Sequence, residues 1–316
     1  VASEGVVRHT YKEINQRAKK LAQALQSAGI GMTDRVATLA WNDHRHLETY
    51  YGVSGMGAVV HTINPRLFPE QLIYIINHAE DRILMCDPMF LPLIEKIIDN
   101  CPKLEKIVAM CASEHMPESS MDVIAYEDFI GGFDGNYDWP EFDETSASSR
   151  RYTPGTTGNP KGVILSHGNL LAAGNNVVIG HDITAADIGM CVLPIYHING
   201  LCVTVMGTLA SASGLVIPYR FSVSGFWQQV EANNVTWFSA VPTLFAYLLN
   251  DEVPVTIDRD RLRFARSASA PLSPEIHRQF EEKFGIKYPL PKSDLLAIPD
   301  FAAADPTPDP PDRLTA

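Results

Sequence analysis

Residues 151–170, RYTPGTTGNPKGVILSHGNL, hold the side chains with the clearest chemical use. Glycines stand at Gly155, Gly158 and Gly162, hydroxyls at Thr153, Thr156 and Thr157, and a cation at Lys161. Glycine lets a backbone turn sharply and approach a ligand closely. Free N–H groups beside threonine hydroxyls make an anion cradle, and a lysine adds a point charge that suits phosphate. The chemistry on offer is the grip on a triphosphate. Glycines alone would equally describe a flexible surface turn. The Walker spacing does not fit, because Lys161 lies between Pro160 and Gly162.

Two further stretches could serve a ligand. In residues 193–203, LPIYHINGLCV, His197 falls between an expected strand and helix. Open α/β sheets place ligand sites there, although a lone histidine is more often structural than catalytic. In residues 266–285, RSASAPLSPEIHRQFEEKFG, small residues precede a helix start; read alone, this is a strand end and an N-cap. His44 and His46 form an HxH pair with no further ligand in sequence, so both are expected to face solvent and no metal is assigned. No GxSxG elbow occurs, which disfavours a serine hydrolase.

The elements that must carry these residues alternate. Thr10 and Glu13 form a capping box ahead of Ile14, Ala18, Leu21, Ala22 and Leu25 at helical spacing, with Gly29 placed to end the helix. Strands are expected at 36–40, 59–63, 83–86 and 107–110, and helices at 44–56, 69–79 and 90–99. Residues 131–149, rich in Gly, Asp, Glu and Ser, read as an excursion over the surface. A short strand, 151–153, is expected to pass through the glycine loop straight into a helix near Ser166. Strands at 191–193, 215–217 and 235–241 then alternate with helices at 201–209, 223–232, 242–249 and 273–284. That succession means βαβ units, hence an α/β fold with doubly wound, mostly parallel sheets flanked by helices.

Between Asp187 and Arg220 no formal charge occurs, but prolines, His197 and Asn199 divide the segment into pieces of strand and helix length. It reads as buried core, not a transmembrane span. The chain has 316 residues, 46% apolar, enough for a large core or two smaller domains, and its net charge of −12 argues against nucleic acid as a partner. Five cysteines without metal or paired spacing are expected to be reduced thiols of a cytoplasmic protein. No signal peptide is visible, and Val1 in place of an initiating Met suggests processing or a fragment.

The 151–170 stretch resembles the phosphate-loop motif of the adenylate-forming (AMP-binding) superfamily, in its acyl-CoA synthetase branch. The usual form reads YTSGTTGxPKGV, and only Pro154 departs, standing where the family has Ser. The resemblance implies that Thr153, Gly155, Thr156, Thr157, Gly158 and Lys161 bind ATP. His197 would lie between adenylate and acyl pocket, with Asn199, Gly200 and Val203 facing the acyl site. RSASAPL resembles the family's SGAAPL segment, so Ala268, Ser269 and Ala270 would lie along the adenine. Ala268 replaces a usual Gly, which matters only if that position needs positive φ.

The implied reaction joins a medium- or long-chain fatty acid to coenzyme A through an acyl-adenylate, with ATP and Mg2+. DRVATLAWN and HTINPRLFPEQLIYIINHAEDR resemble bacterial fatty acid–CoA ligases, whereas the part after Lys161 is closer to other acyl- and aryl-CoA synthetases. Residues 1–286 then read as a partial large domain. The family's YGxTE segment, its ribose-binding Asp, its hinge and the C-terminal domain with its catalytic Lys find no match. Residues 287–316, rich in Pro and Asp, are expected to be disordered, and an apolar side of the sheet to be exposed. The alternative reading is a non-catalytic remnant that binds a nucleotide or a partner.

Overall fold

The computed structural model describes residues 5–153, 159–251, 258 and 260–286. The tail 287–316 therefore lies outside the described residues. The chain divides into two compact units, Val1–Asn169 and Leu170–Ala316.

The first unit opens with α1 (Tyr11–Ser27), whose N-cap Thr10 and Glu13 form the expected capping box. Then come β1 (Arg35–Leu39), α2 (His44–Gly55), β2 (Val59–Thr62), α3 (Pro69–Ala79) and β3 (Ile83–Cys86). The helix expected over 90–99 is only one α-turn, α4 (Leu91–Ile94), between 3-10 turns. Its buried residues Leu91, Ile94 and Ile97 recur every third position, the period of the tighter helix. After β4 (Lys106–Ala109), β5 (Val123–Ala125) and α5 (Tyr126–Gly131) are elements the sequence did not announce.

A seven-stranded sheet has the order β5-β4-β3-β1-β2, followed by β6 (Ala147–Thr153) and β7 (Lys161–Ser166). All pairs are parallel except β6 with β7. Ala37 and Leu39 of β1 join Leu72, Ile75 and Ile76 of α3 in one core, while the intervening Thr38 bonds His46 of α2. Alternate residues of one strand thus face helices on opposite sides of the sheet, which is the doubly wound arrangement. The 131–149 excursion is pinned rather than loose. Asp134 and Gly135 bond Gln16 and Gln23 of α1, and the Trp139 ring lies over Gly55, where a Cβ would come within 2.8 Å.

The second unit begins within α6 (His167–His181) and continues with β8 (Ile188–Met190), a π-helical stretch Asn199–Val205 and α7 (Met206–Ala210). It proceeds through β9 (Gly214–Val216), α8 (Val223–Ala232), β10 (Trp237–Ala240), α9 (Pro242–Leu249), β11 (Phe264–Ser267) and α10 (Pro274–Phe284). Its four strands pair in parallel in the order β11-β10-β8-β9. The strand expected over 191–193 lies earlier, at 188–190; Cys191 adds a single further bond from its N–H to Val216 O, 2.9 Å. Phe226, Trp227, Phe238, Phe245, Phe280 and Phe284 fill the core between this sheet and α8, α9 and α10. Among the described residues no helix is long and apolar enough to cross a membrane, and much of the uncharged stretch between Asp187 and Arg220 is buried.

Candidate nucleotide and acyl site

The glycine loop closes a β-hairpin, not the strand-to-helix turn expected. β6 and β7 pair antiparallel with Thr153 opposite Lys161, Tyr152 opposite Gly162 and Arg151 opposite Val163. Lys161 therefore opens a strand, for which the β-branched Val163 and Ile164 after it are suited. α6 follows only after that strand. Its start is fixed by a reciprocal cap, in which the Asn169 N–H donates to Ser166 Oγ at 3.1 Å and the Ser166 N–H to Asn169 Oδ1 at 3.0 Å. Thr153 and Lys161 are exposed at the loop end of the hairpin. Gly155, Thr156, Thr157 and Gly158, with Pro154, lie outside the described residues.

Behind the hairpin lies a polar cluster that sequence reasoning missed. The Tyr152 hydroxyl is 2.7 Å from His78 Nδ1, and Arg150 Nη2 reaches the same nitrogen at 3.2 Å while its guanidinium lies 5.0 Å from the Tyr152 ring centroid. Gly162 is shaped by this cluster, since a Cβ there would be 3.0 Å from the Arg150 guanidinium. His61 and Asp81, both fully buried, pair at 2.7 Å below Tyr152, and burial raises the Asp81 pKa despite His61. No periodicity betrays such a cluster, because its members come from β2, α3, β6 and the turn before β3.

In the second unit the other two stretches meet. Asn199, at the head of the π-helical segment, is buried. Its Nδ2 donates to Ser269 Oγ at 3.2 Å, and its Oδ1 accepts from Ser239 Oγ at 3.1 Å. Ser239 in turn accepts from Arg266 Nη1 at 3.1 Å. Asn199 and Ser269 are thereby joined, with Arg266 and Ser239 as members that sequence reasoning did not name. Ser269 takes positive φ, +69°, so Ala268 meets no backbone strain where the family has Gly. Ala268 extends the ladder by donating its N–H to Ala240 O at 3.0 Å, and Ala270 is exposed.

His197 is exposed in the turn leading into that segment, its N–H donating to Pro194 O and its carbonyl accepting from Leu201. Gly200 is required by packing, because a Cβ would fall 2.4 Å from Pro194 O and 2.8 Å from Leu193 O. Val203 lies in a small cluster with Val177, Ile183, Trp237 and Phe264. Burial pushes the Cys191 thiol up to about 12, which leaves it no thiolate character at neutral pH.

His44 and His46 do not face solvent as expected. His46 is fully buried between Thr38 Oγ1 (3.0 Å) and Trp41 O (2.8 Å), and His44 is half-buried beside His9. Desolvation lowers both imidazoles to about 4.

The class these features define is that of α/β proteins built on doubly wound, mostly parallel sheets. The AMP-binding enzyme family matches residues 1–290, and the chain belongs to that family. It is 39% identical over 294 residues to the 3-methylmercaptopropionyl-CoA ligase of Ruegeria pomeroyi, covering 90% of this chain and 54% of that protein. It is 45% identical over 216 residues to the medium-chain-fatty-acid–CoA ligase of Ectopseudomonas oleovorans, covering 67% of this chain and 39% of the relative. Among solved structures, the anthranilate CoA ligase AuaEII in complex with anthranoyl-AMP shares the fold at a TM-score of 0.82 and 22% identity, over 88% of this chain and 54% of that one. The chain thus spans about half the length, or less, of the curated relatives it matches.

Proposed function

We propose that the chain carries the N-terminal part of an ATP-dependent acyl-CoA ligase acting on a medium- or long-chain fatty acid. The observation that supports this best is the Asn199–Ser269 bond, which draws the acyl-side and adenine-side stretches into one network. In this reading Lys161, with Thr153 opposite it, holds the phosphates of MgATP at the loop end of the hairpin. Thr156, Thr157 and the glycines 155 and 158 complete the grip. His197 stands between adenylate and acyl chain, Asn199, Gly200 and Val203 border the acyl side, and Ala268 to Ala270 lie along the adenine. The carboxylate attacks the α-phosphorus and pyrophosphate leaves; coenzyme A then displaces AMP to give the thioester. The protein's part in the first step is positioning and charge stabilisation, without a covalent nucleophile. The five cysteines are buried free thiols, which supports a reducing compartment such as the cytoplasm.

The test is ATP–pyrophosphate exchange dependent on a C8–C16 fatty acid, with Lys161→Ala as control. Exchange that falls at least tenfold in the variant supports the ligase reading. ATP binding without exchange favours a nucleotide-binding module without turnover, and ATP binding unchanged in Lys161→Ala removes the hairpin from the site.

A further inference from the structure

His9, His44 and Glu48 converge in the first unit, and the ligase reading uses none of them. Their donor atoms all lie within 4.8 Å of one another. His44 and Glu48 stand four residues apart on α2 and so share one face of it. His9 comes from the irregular segment just ahead of the N-cap Thr10, and its ring centroid is 4.8 Å from that of His44. We propose that these three side chains form a binding site for a zinc-class dication, which ties the segment ahead of α1 to α2.

The donor set suits such an ion. Two imidazoles and one carboxylate are ligands of borderline softness, the combination that zinc, cobalt and nickel accept with water filling the remaining position. Local charge allows it as well. Arg17 bonds Glu48 at 2.7 Å and Glu127 at 2.8 Å, and Arg45 bonds Glu127 at 2.8 Å with Asp43 at 3.9 Å. Three carboxyl groups thus stand with two guanidiniums around the site.

Glu48 remains able to ligate while held by its partners. Oε1 accepts from Arg17 Nε and Oε2 from the Tyr126 hydroxyl at 2.9 Å, and each carboxylate oxygen keeps a second lone pair. Arg17 and Tyr126 would fix the carboxylate from behind, as outer partners of metal ligands do. Bonds near 2.1 Å in a tetrahedron place donor atoms about 3.4 Å apart, so the trio must contract by roughly an ångström. His9 is exposed and precedes the helix, so it is the ligand free to make that adjustment.

The experiment uses the whole chain, stripped with a chelator and titrated with ZnCl2 and, separately, CoCl2. At ~100 μM zinc the unfolding midpoint should rise by about 3 °C or more, as expected for a ligand bound only by the folded state. Cobalt should give the visible d–d bands of a four-coordinate site. The His9→Ala/His44→Ala double variant should lose at least four-fifths of both signals. His9→Ala alone should lose most of them with its metal-free midpoint unchanged, which separates ligation from folding. The proposal is overturned if the wild-type chain shows neither signal. It is equally overturned if the double variant keeps half or more of either, since other histidines would then hold the ion.

Discussion

Asn199 donates from Nδ2 to Ser269 Oγ at 3.2 Å, and Ser269 is the residue that carries the chain through left-handed backbone just beyond β11. A non-glycine residue persists at positive φ only where its surroundings hold it. Here the buried carboxamide supplies the hold, and Ser239 with Arg266 hold the carboxamide.

Removing that carboxamide should therefore be felt in stability. Asn199→Ala leaves Ser269 and the buried Ser239 each short of a partner, a cost of about 1–3 kcal/mol. Urea unfolding should show a lower midpoint at an unchanged slope. An unaltered midpoint would mean that the network contributes nothing to folding.

Gly200→Ala should cost more than its one methyl group suggests. The added Cβ would meet two backbone carbonyls, Pro194 O at 2.4 Å and Leu193 O at 2.8 Å, which cannot rotate away as a side chain would. Overpacking of this kind costs about 1–3 kcal/mol, and the shift should appear as a depressed thermal midpoint. Ala at 200 with a wild-type midpoint would show the turn to be more pliant than its contacts indicate.

Arg151→Met should make the protein more stable. Arg151 is only 7% exposed, yet Nε, Nη1 and Nη2 have no hydrogen-bond partner among the described residues. An unpaired buried charge is destabilising, and exchange for an apolar side chain of similar length should gain at least about 1 kcal/mol in urea denaturation. Loss of stability instead would show that the guanidinium has a partner in solution.

Acid should weaken the fold through His46. Desolvation holds its folded pKa near 4, below the ordinary value of 6.5, so the unfolded chain binds more protons between those limits. Stability on this account is full above pH 6.5 and is lost as pH falls toward 4, by about 3 kcal/mol in all. His46→Gln should flatten the stability profile in that window. A slope equal to wild type would assign the acid sensitivity to other groups.

Where helices and strands carry hydrophobic periodicity, the sequence was sufficient. α3, β3, α8 and α9 fall on their expected boundaries, each carrying an apolar stripe, and the three helices start at Pro69, after Ser222 and at Pro242. The long β6 was read as three residues because Ser148, Ser149, Arg150 and Arg151 carry no apolar alternation, although all four are buried. They are strand because β2 and β7 satisfy their backbone on either side. The π-helical turn at Asn199 accompanies the close approach of Gly200 to Pro194, a contact with no local signature.

Taken by itself, the sequence determined the alternation that makes the sheets parallel and the Gly–Thr–Lys composition that points to phosphate, because both depend on residues near one another along the chain. Only the tertiary structure decided that the glycine loop closes a hairpin, that Asn199 reaches Ser269, and that His9 meets His44 and Glu48. Those relationships join residues far apart in sequence, and their energies exist only once folding has brought the partners within bonding distance.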